Sequence, residues 1–259
     1  EVTFWRSLFT VLSLLVILPA WQGRAVWRQI HWRSGRFWLS GLCWSVMFTA
    51  FMVALTLASV ANVLVTMSIG PLLTALLARV ALGHRLAPRT WAAIALAGAG
   101  IAWMYGAQVN LGQGREWMGA VVALCVPLAG AVQWTVVQHS QAQGEPIDLV
   151  PSVLVGAALS TLYTLPLSLP FAASGHDVAW LGMLGLVQLA IPCTLSVVCA
   201  RVLKAPEVSL LGLLEVVFGI ALAWVGANEA PAPSVLTGGA VVLGALLANE
   251  LLAWKERRV

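Results

Sequence analysis

Nine stretches of the chain stay apolar long enough to cross a bilayer: 4–20, 37–57, 61–82, 90–106, 117–138, 149–171, 178–200, 207–227 and 235–254. Polar residues gather in the short loops between them. A span needs roughly 20 mostly apolar residues to cover about 30 Å of hydrocarbon. The runs lack the short alternation of barrel strands, and backbone groups in lipid must bond internally, so each run predicts a helix. The pattern is that of an all-α polytopic membrane protein. The first run has neither the basic start nor the small-residue cleavage site of a signal peptide. No soluble domain or low-complexity tract interrupts the series.

Composition agrees. Hydrophobic residues make up 60% of the chain and charged residues 9%, against about a quarter charged in soluble domains. The net charge of +4 reports topology. Arg24, Arg28, Arg33 and Arg36 crowd the first loop; Arg79, Arg85 and Arg89 mark the third, Arg201 and Lys204 the seventh, and Lys255, Arg257 and Arg258 the tail. By parity these lie on one side of the membrane and hold 12 of the 14 basic residues. Only Arg6 and Arg115 fall opposite. The crowded side is therefore expected to face the cytoplasm, in a multi-pass protein of the cell inner (plasma) membrane. No nucleic-acid partner is called for. Trp21, Trp27, Trp32, Trp38, Trp117, Trp180 and Trp254 sit near span ends, as an interfacial belt would.

Shifting the sequence by 145 residues superimposes 4–20 on 149–165, 37–57 on 182–202, 61–82 on 206–227 and 90–106 on 235–251, with Pro88 on Pro233. The span 117–138 then maps before residue 1. Each half thus predicts five spans, the first half lacking one. An odd number of spans per half inserts the second copy upside down, an inverted repeat of the kind that places substrate near the midplane.

The segments "ANVLVTMSIGPLLTALLARVALGHRLAPRTWAAIALAGAGIAWM" (61–104) and "APEVSLLGLLEVVFGIALAWVGANEAPAPSVLTGGAVVLGALL" (205–247) resemble the paired-span signatures of EamA-type carriers. These belong to the drug/metabolite transporter superfamily. "FWRSL" (4–8) is similar to that family's second-span start. Departures exist: Val216 stands where the second half usually has Pro, although Pro71 is kept, and His84 replaces a turn Glu that Glu229 retains. The resemblance implies ten spans with both ends cytoplasmic, whereas nine are present here and the chain begins at Glu1. The expected organisation is residues 1–106 as a first repeat lacking its first span, 117–254 as a complete second repeat, and 255–259 as a basic cytoplasmic tail.

Glu215 is the one charge between Val208 and Gly226. An ionised acid at the bilayer centre costs about 2.5–3.5 kcal/mol on insertion scales, so such residues face a cavity or a partner. Gly212 and Gly219 share its helical face and leave room beside it. A structural acid that fixes packing and a transport residue are both open readings. Asn62, Thr66, Gly70 and Thr74 form one polar stripe; Gln188, Pro192, Ser196 and Cys199 form another. Gln133 and Trp134 are mid-span, and Trp44 shares a face with Phe48 and Phe51. Together Trp44, Thr66, Gly70, Gln133, Trp134, Gln188, Ser196 and Glu215 are the candidate substrate-binding residues. The plain alternative for hydroxyl groups is a bond to their own helix backbone or a neighbouring helix.

Pro71, Pro127 and Pro192 lie inside spans and should weaken or kink them. Small residues recur at Gly98, Ala102 and Gly106, and at Ala240, Gly244 and Ala248. They predict close packing between repeat-equivalent spans, or a homodimer through 90–106 or 235–254. Cys43, Cys125, Cys193 and Cys199 lie within spans and read as packing residues. No HExxH, GxSxG or P-loop occurs, and His31, His84, His139 and His176 are scattered among loops and span ends. No enzyme activity, catalytic residue, metal site or cofactor is therefore expected. The sequence reads as a carrier exporting small metabolites or amino acids by gradient-driven or exchange alternating access. The alternative is a non-transporting membrane protein or degenerate carrier fragment with an assembly role.

Overall fold

The computed structural model describes residues 1–58, 60–83, 87–105, 116–142, 147–215, 218, 222, 225–226 and 233–256. Helices occur at each of the nine apolar stretches. They are α1 Val2–Gln22, α2 Val26–Gln29 (in the first loop), α3 Gly35–Leu57, α4 Val60–Met67, α5 Gly70–Leu82 and α6 Pro88–Tyr105. Then come α7 Glu116–Ala142, α8 Ser152–Ser168, α9 Gly175–Leu184, α10 Ile191–Cys199, α11 Ala205–Gly212 and a last helix, α12, Pro233–Glu256. No strand occurs among the described residues.

By length and composition four segments can cross a membrane: Val2–Gln22, Gly35–Leu57, Trp117–Gln141 and Gly175–Cys199. Their surfaces are those of lipid-facing helices. Val16, Leu167 and Val202 are exposed at 69%, 84% and 86%, where a soluble fold would hide large apolar patches. Meanwhile Ser7, Thr10, Ser40, Ser152, Ser160 and Thr194 are buried. Small and hydroxyl-bearing residues face inward because, in lipid, close approach and interhelical hydrogen bonds hold helices together. The chain is an all-α polytopic membrane protein.

Proline decides where the helices depart from the simple reading. The stretch 61–82 is two helices, broken at Ser68 and Ile69. Pro71 at the start of α5 has no N–H to continue the ladder from α4. The stretch 178–200 is continuous but changes gauge: Gly185–Ala190 is a π-helical turn, in which Ile191 N–H donates to Leu186 O. Pro192 lies immediately beyond, and its ring would clash with the Gln188 carbonyl in a regular α-turn. Widening to a π-turn relieves that clash. Pro127 leaves α7 unbroken.

Two compact units emerge, each drawing on both sequence halves: Glu1–Met52 with Val132–Lys204, and Val53–Ala131 with Ala205–Val259. In the first, α1 packs on α8, antiparallel to it. Ser7 Oγ donates to Ser160 Oγ at 3.0 Å, and Ala172 N–H near one end donates to Glu1. At the other end Gln22 Nε2 donates to Asp148 at 2.9 Å, and Arg201 pairs with the same carboxylate. Helix α3 approaches α8 at Gly156, where an added Cβ would lie 2.8 Å from Gly41 O.

In the second unit α6 packs on α12, and numbering rises along one as it falls along the other. Thr90 meets Asn249 at 3.3 Å, and Trp103 Nε1 donates to Thr237 at 2.9 Å. Between them, a Cβ on Gly100 would stand 2.9 Å from Gly238 O. Pro88 and Pro233 open α6 and α12 respectively. The close approach therefore runs through Gly100 and Gly238. The stripes expected to make it do otherwise: no atom lies within 4 Å of a Cβ built on Gly98 or Gly244, and Ala102, Ala240 and Ala248 are exposed. Gly106 lies outside the described residues.

Candidate functional site

The first unit gathers polar groups inside its helices. Gly185 admits α1 to near backbone contact, a Cβ there falling 2.7 Å from Arg6 O. Thr10 Oγ1 donates to both Arg6 O at 2.7 Å and Gly185 O at 3.0 Å, which pins the two helices. Arg6 follows from this approach. Its residue is 6% exposed. Nη2 donates to Gln188 Oε1 at 3.0 Å, Nη1 reaches Met52 Sδ, and Nε has no partner. Among the described residues no carboxylate pairs with it. The lone arginine of "FWRSL", which the loop count treats as a topology marker, is thus an internal cation. The signal was present, since a basic residue begins the second turn of an otherwise apolar run.

Trp44 is 4% exposed, its ring edge-on to Trp134 with centroids 5.8 Å apart and tilted against Phe48 at 5.6 Å. Its Nε1 has no acceptor among the described residues. Gln133, next along α7, is 0% exposed, and neither Oε1 nor Nε2 has a partner there. Buried polar groups are nearly always bonded, so an orphaned amide asks for a water or a ligand. Sequence reasoning missed a hydroxyl network beside these residues. Thr49 Oγ1 and Tyr163 OH lie 2.7 Å apart, Ser45 Oγ and Tyr163 OH 2.7 Å, and Thr49 Oγ1 and Ser160 Oγ 2.8 Å. Its members are dispersed over α3 and α8, so no single-helix stripe reveals it.

Other hydroxyls follow the plain alternative. Ser196 Oγ donates to Pro192 O at 2.8 Å, Thr194 to Ala190 O at 2.6 Å, and Thr74 to Gly70 O at 2.9 Å. Each bonds the carbonyl four residues back, a common habit of mid-helix Ser and Thr.

The second unit carries the remaining candidates. Thr66 is half-buried, and Gly70 is buried with Pro127 Cβ and Ser209 Oγ each 3.5 Å from its would-be Cβ. Glu215 is exposed and makes no hydrogen bond or ion pair with a described residue. Nothing described lies within 4 Å of a Cβ built on Gly212. Gly219 and the Asn62 side chain lie outside the described residues. Of the eight candidates, Trp44 and Trp134 touch one another, and Gln188 is held by Arg6. All four cysteines are free, and no group of three His, Cys, Asp or Glu among the described residues could hold a metal.

A lipid-facing helical protein of this kind is a polytopic membrane protein. Residues 1–106 match the family model described as the EamA-like transporter family. No curated protein matches the chain. A solved structure titled only "Crystal structure of protein" shares the fold at TM-score 0.78 with 20% identity, covering 98% of this chain and 88% of that one. The match over residues 1–106 makes the chain similar to the EamA-like transporter family in its first part, and the solved structure shows that the fold is shared over nearly the whole chain.

Proposed function

We propose that the protein exports small metabolites or amino acids from the cytoplasm across the inner membrane by alternating access, driven by a gradient or by exchange. The observation that carries this reading is that the unbonded buried polar groups of the first unit include Arg6 Nε, Trp44 Nε1 and both amide atoms of Gln133, beside Trp5 Nε1, Gln22 Oε1 and Arg201 Nε. A packing scaffold would have satisfied or replaced them, because each orphan costs about 1–3 kcal/mol. A carrier keeps such groups for its cargo.

Within that unit Trp44, Gln133, Trp134 and Gln188 are the residues proposed to face substrate, with Ser196 one turn beyond Pro192. Thr66, Gly70 and Glu215 are proposed as substrate-binding residues of the second unit, taken by itself. The antiparallel contacts of α1 with α8 and of α6 with α12 support the inverted repeat of 1–106 and 117–254. The exposed small-residue face Ala240, Gly244, Ala248 is where a homodimer would form. No enzymatic step is proposed.

The test is reconstitution of the full chain in proteoliposomes, loaded with a panel of amino acids and small metabolites. Efflux that depends on a proton or counter-substrate gradient, and falls with Gln133→Leu, is expected. Vesicles that release nothing beyond protein-free controls would sink the exporter reading.

A further inference from the structure

We propose that Arg6, braced by Gln188 on the π-helical turn, is the anchor for the carboxylate of the transported molecule, which is a small organic monocarboxylate. This rests on the exporter reading and names its substrate class.

Three observations carry it. Arg6 is 6% exposed, its hydrogen-bond partners Gln188 and Met52 are neutral, and the one described titratable group facing it is the Cys193 thiol, which is no carboxylate. A charge removed from water is retained only when something pairs with it, and among the described residues no carboxylate does. Second, the position is deep. Gln188 lies near the middle of Gly175–Cys199, so the guanidinium that reaches it is far from either headgroup layer. An arginine that served lipid phosphates would extend its head outward to the interface. Third, donors remain. Nε is unbonded, and the Gln188 amide nitrogen has no described acceptor while its side chain is exposed.

The geometry selects the ligand. A planar fork of N–H groups suits a carboxylate in bidentate fashion. Arg6 is the one basic residue inside the apolar runs of this unit, so it balances one negative charge, which disfavours a phosphate dianion. The thioether of Met52, against the guanidinium, suits an organic body behind the charged end. The π-turn is part of the device: Pro192 widens the backbone at Gln188, and Gly185 lets α1 close in so that Arg6 reaches it. Wide turns of this kind recur at functional sites.

The probe is propionate, with propionamide as its uncharged partner and phosphate as the competing anion. Thermal unfolding of the full chain is followed in uncharged detergent at constant ionic strength, which removes lipid phosphate as an anion source. Propionate is expected to raise the midpoint by at least about 2 °C over chloride, with propionamide inert and phosphate weaker. Arg6→Gln and Arg6→Lys should lose most of that rise. If Arg6→Gln fails to fold, Gln188→Glu decides the matter. It supplies a built-in counter-charge, so it should raise the ligand-free midpoint and abolish the response to propionate. No propionate rise in the unaltered protein, an equal rise with phosphate or propionamide, or a lower midpoint in Gln188→Glu would each overturn the proposal. A separate arm compares culture medium from cells making the unaltered chain or Gln188→Glu. Carboxylates enriched only by the former support the anchor, whereas enrichment confined to uncharged or cationic compounds refutes it and leaves the exporter reading standing. Failure of the exporter reading itself would show as no enrichment and no vesicle efflux, with the propionate response still deciding whether Arg6 binds carboxylate.

Discussion

Replacing Gln133 by methionine should make the protein more stable and less able to transport. Gln133 is 0% exposed and its two amide atoms are unbonded among the described residues. A buried polar group without a partner costs about 1–3 kcal/mol relative to an apolar group of the same shape. Methionine keeps the unbranched length and replaces the amide with a polarizable thioether, so little volume change enters. Alanine would confuse the result, because a large-to-small change adds about 2–5 kcal/mol of cavity cost. Taking 2–4 °C for each kcal/mol in a domain of 150–250 residues, the midpoint should rise by about 2–12 °C. The assay is intrinsic-fluorescence unfolding of purified protein, in detergent and in lipid nanodiscs, beside efflux from vesicles. Efflux should fall at least roughly tenfold, which is the loss of about 1.4 kcal/mol of substrate or transition-state interaction. A lower midpoint would show that the amide is bonded in the working protein and would refute the reasoning. An unchanged efflux rate with a raised midpoint would remove Gln133 from the substrate path.

Gly100→Val should destabilise by about 1–3 kcal/mol, since its Cβ would meet Gly238 O at 2.9 Å and Val242 Cγ2 at 3.0 Å; Gly244→Ala, with nothing nearby, should change the midpoint little, and the same unfolding assay compares them. Asp148→Ala should cost about 1–2 kcal/mol, because Asp148 accepts from Gln22, Arg201 and Val150 N–H, and the ion pair is about a third exposed, which weakens it. Labelling from outside intact cells should reach a cysteine placed at Gln113→Cys and miss Ser34→Cys, the reverse pattern inverting the assigned topology. Glu215→Gln should leave the midpoint within about 0.5 kcal/mol of the unaltered value, as the acid holds no described partner, yet slow efflux or flatten its pH profile; normal efflux with an unchanged profile would make the acid dispensable.

Much of the fold was legible because the membrane leaves few choices. A long apolar run must be a helix, and each of the nine runs holds helix, although 61–82 is split in two, 178–200 changes gauge, and much of 207–227 lies outside the described residues. What periodicity could not supply was which face of a helix meets which neighbour. Gly98 and Gly100 look alike in the sequence, yet only Gly100 is crowded. Proline was legible as a disturbance but not in kind: Pro71 separates two helices, Pro192 widens one into a π-turn and Pro127 does neither. The site was half legible for a related reason. Gln133 and Gln188 stand out as amides in apolar runs, whereas Arg6 near a span end looks like any interfacial cation. Only the backbone contact at Gly185 shows that its side chain is drawn inward. The hydroxyl network of Ser45, Thr49, Ser160 and Tyr163 depends on two helices distant in sequence and leaves no local mark.

The antiparallel contact of α6 and α12 carries the argument from sequence repeat to transport geometry. A shift of 145 residues places Ala97 on Val242. Both are 0% exposed and both belong to the same buried cluster. A twofold rotation that exchanged the two copies would have to pass between these residues, across the helices rather than along them. It therefore predicts a second contact for each one seen. Gly100 against Gly238 requires its mate, Ala93 against Ala245, and these two are indeed enclosed at 3% and 5% in that cluster. The small residues recur on both sides of the crossing because each copy must present the same closely packed face to the other. An axis across the helices exchanges the two membrane faces, which is the relation the proposed alternating access needs for a conformation open to one side to have a counterpart open to the other. The consequence is measurable: Ala93→Leu and Ala245→Leu should destabilise by similar amounts, about 1–3 kcal/mol each. A large effect from one and none from the other would break the symmetry on which that exchange depends.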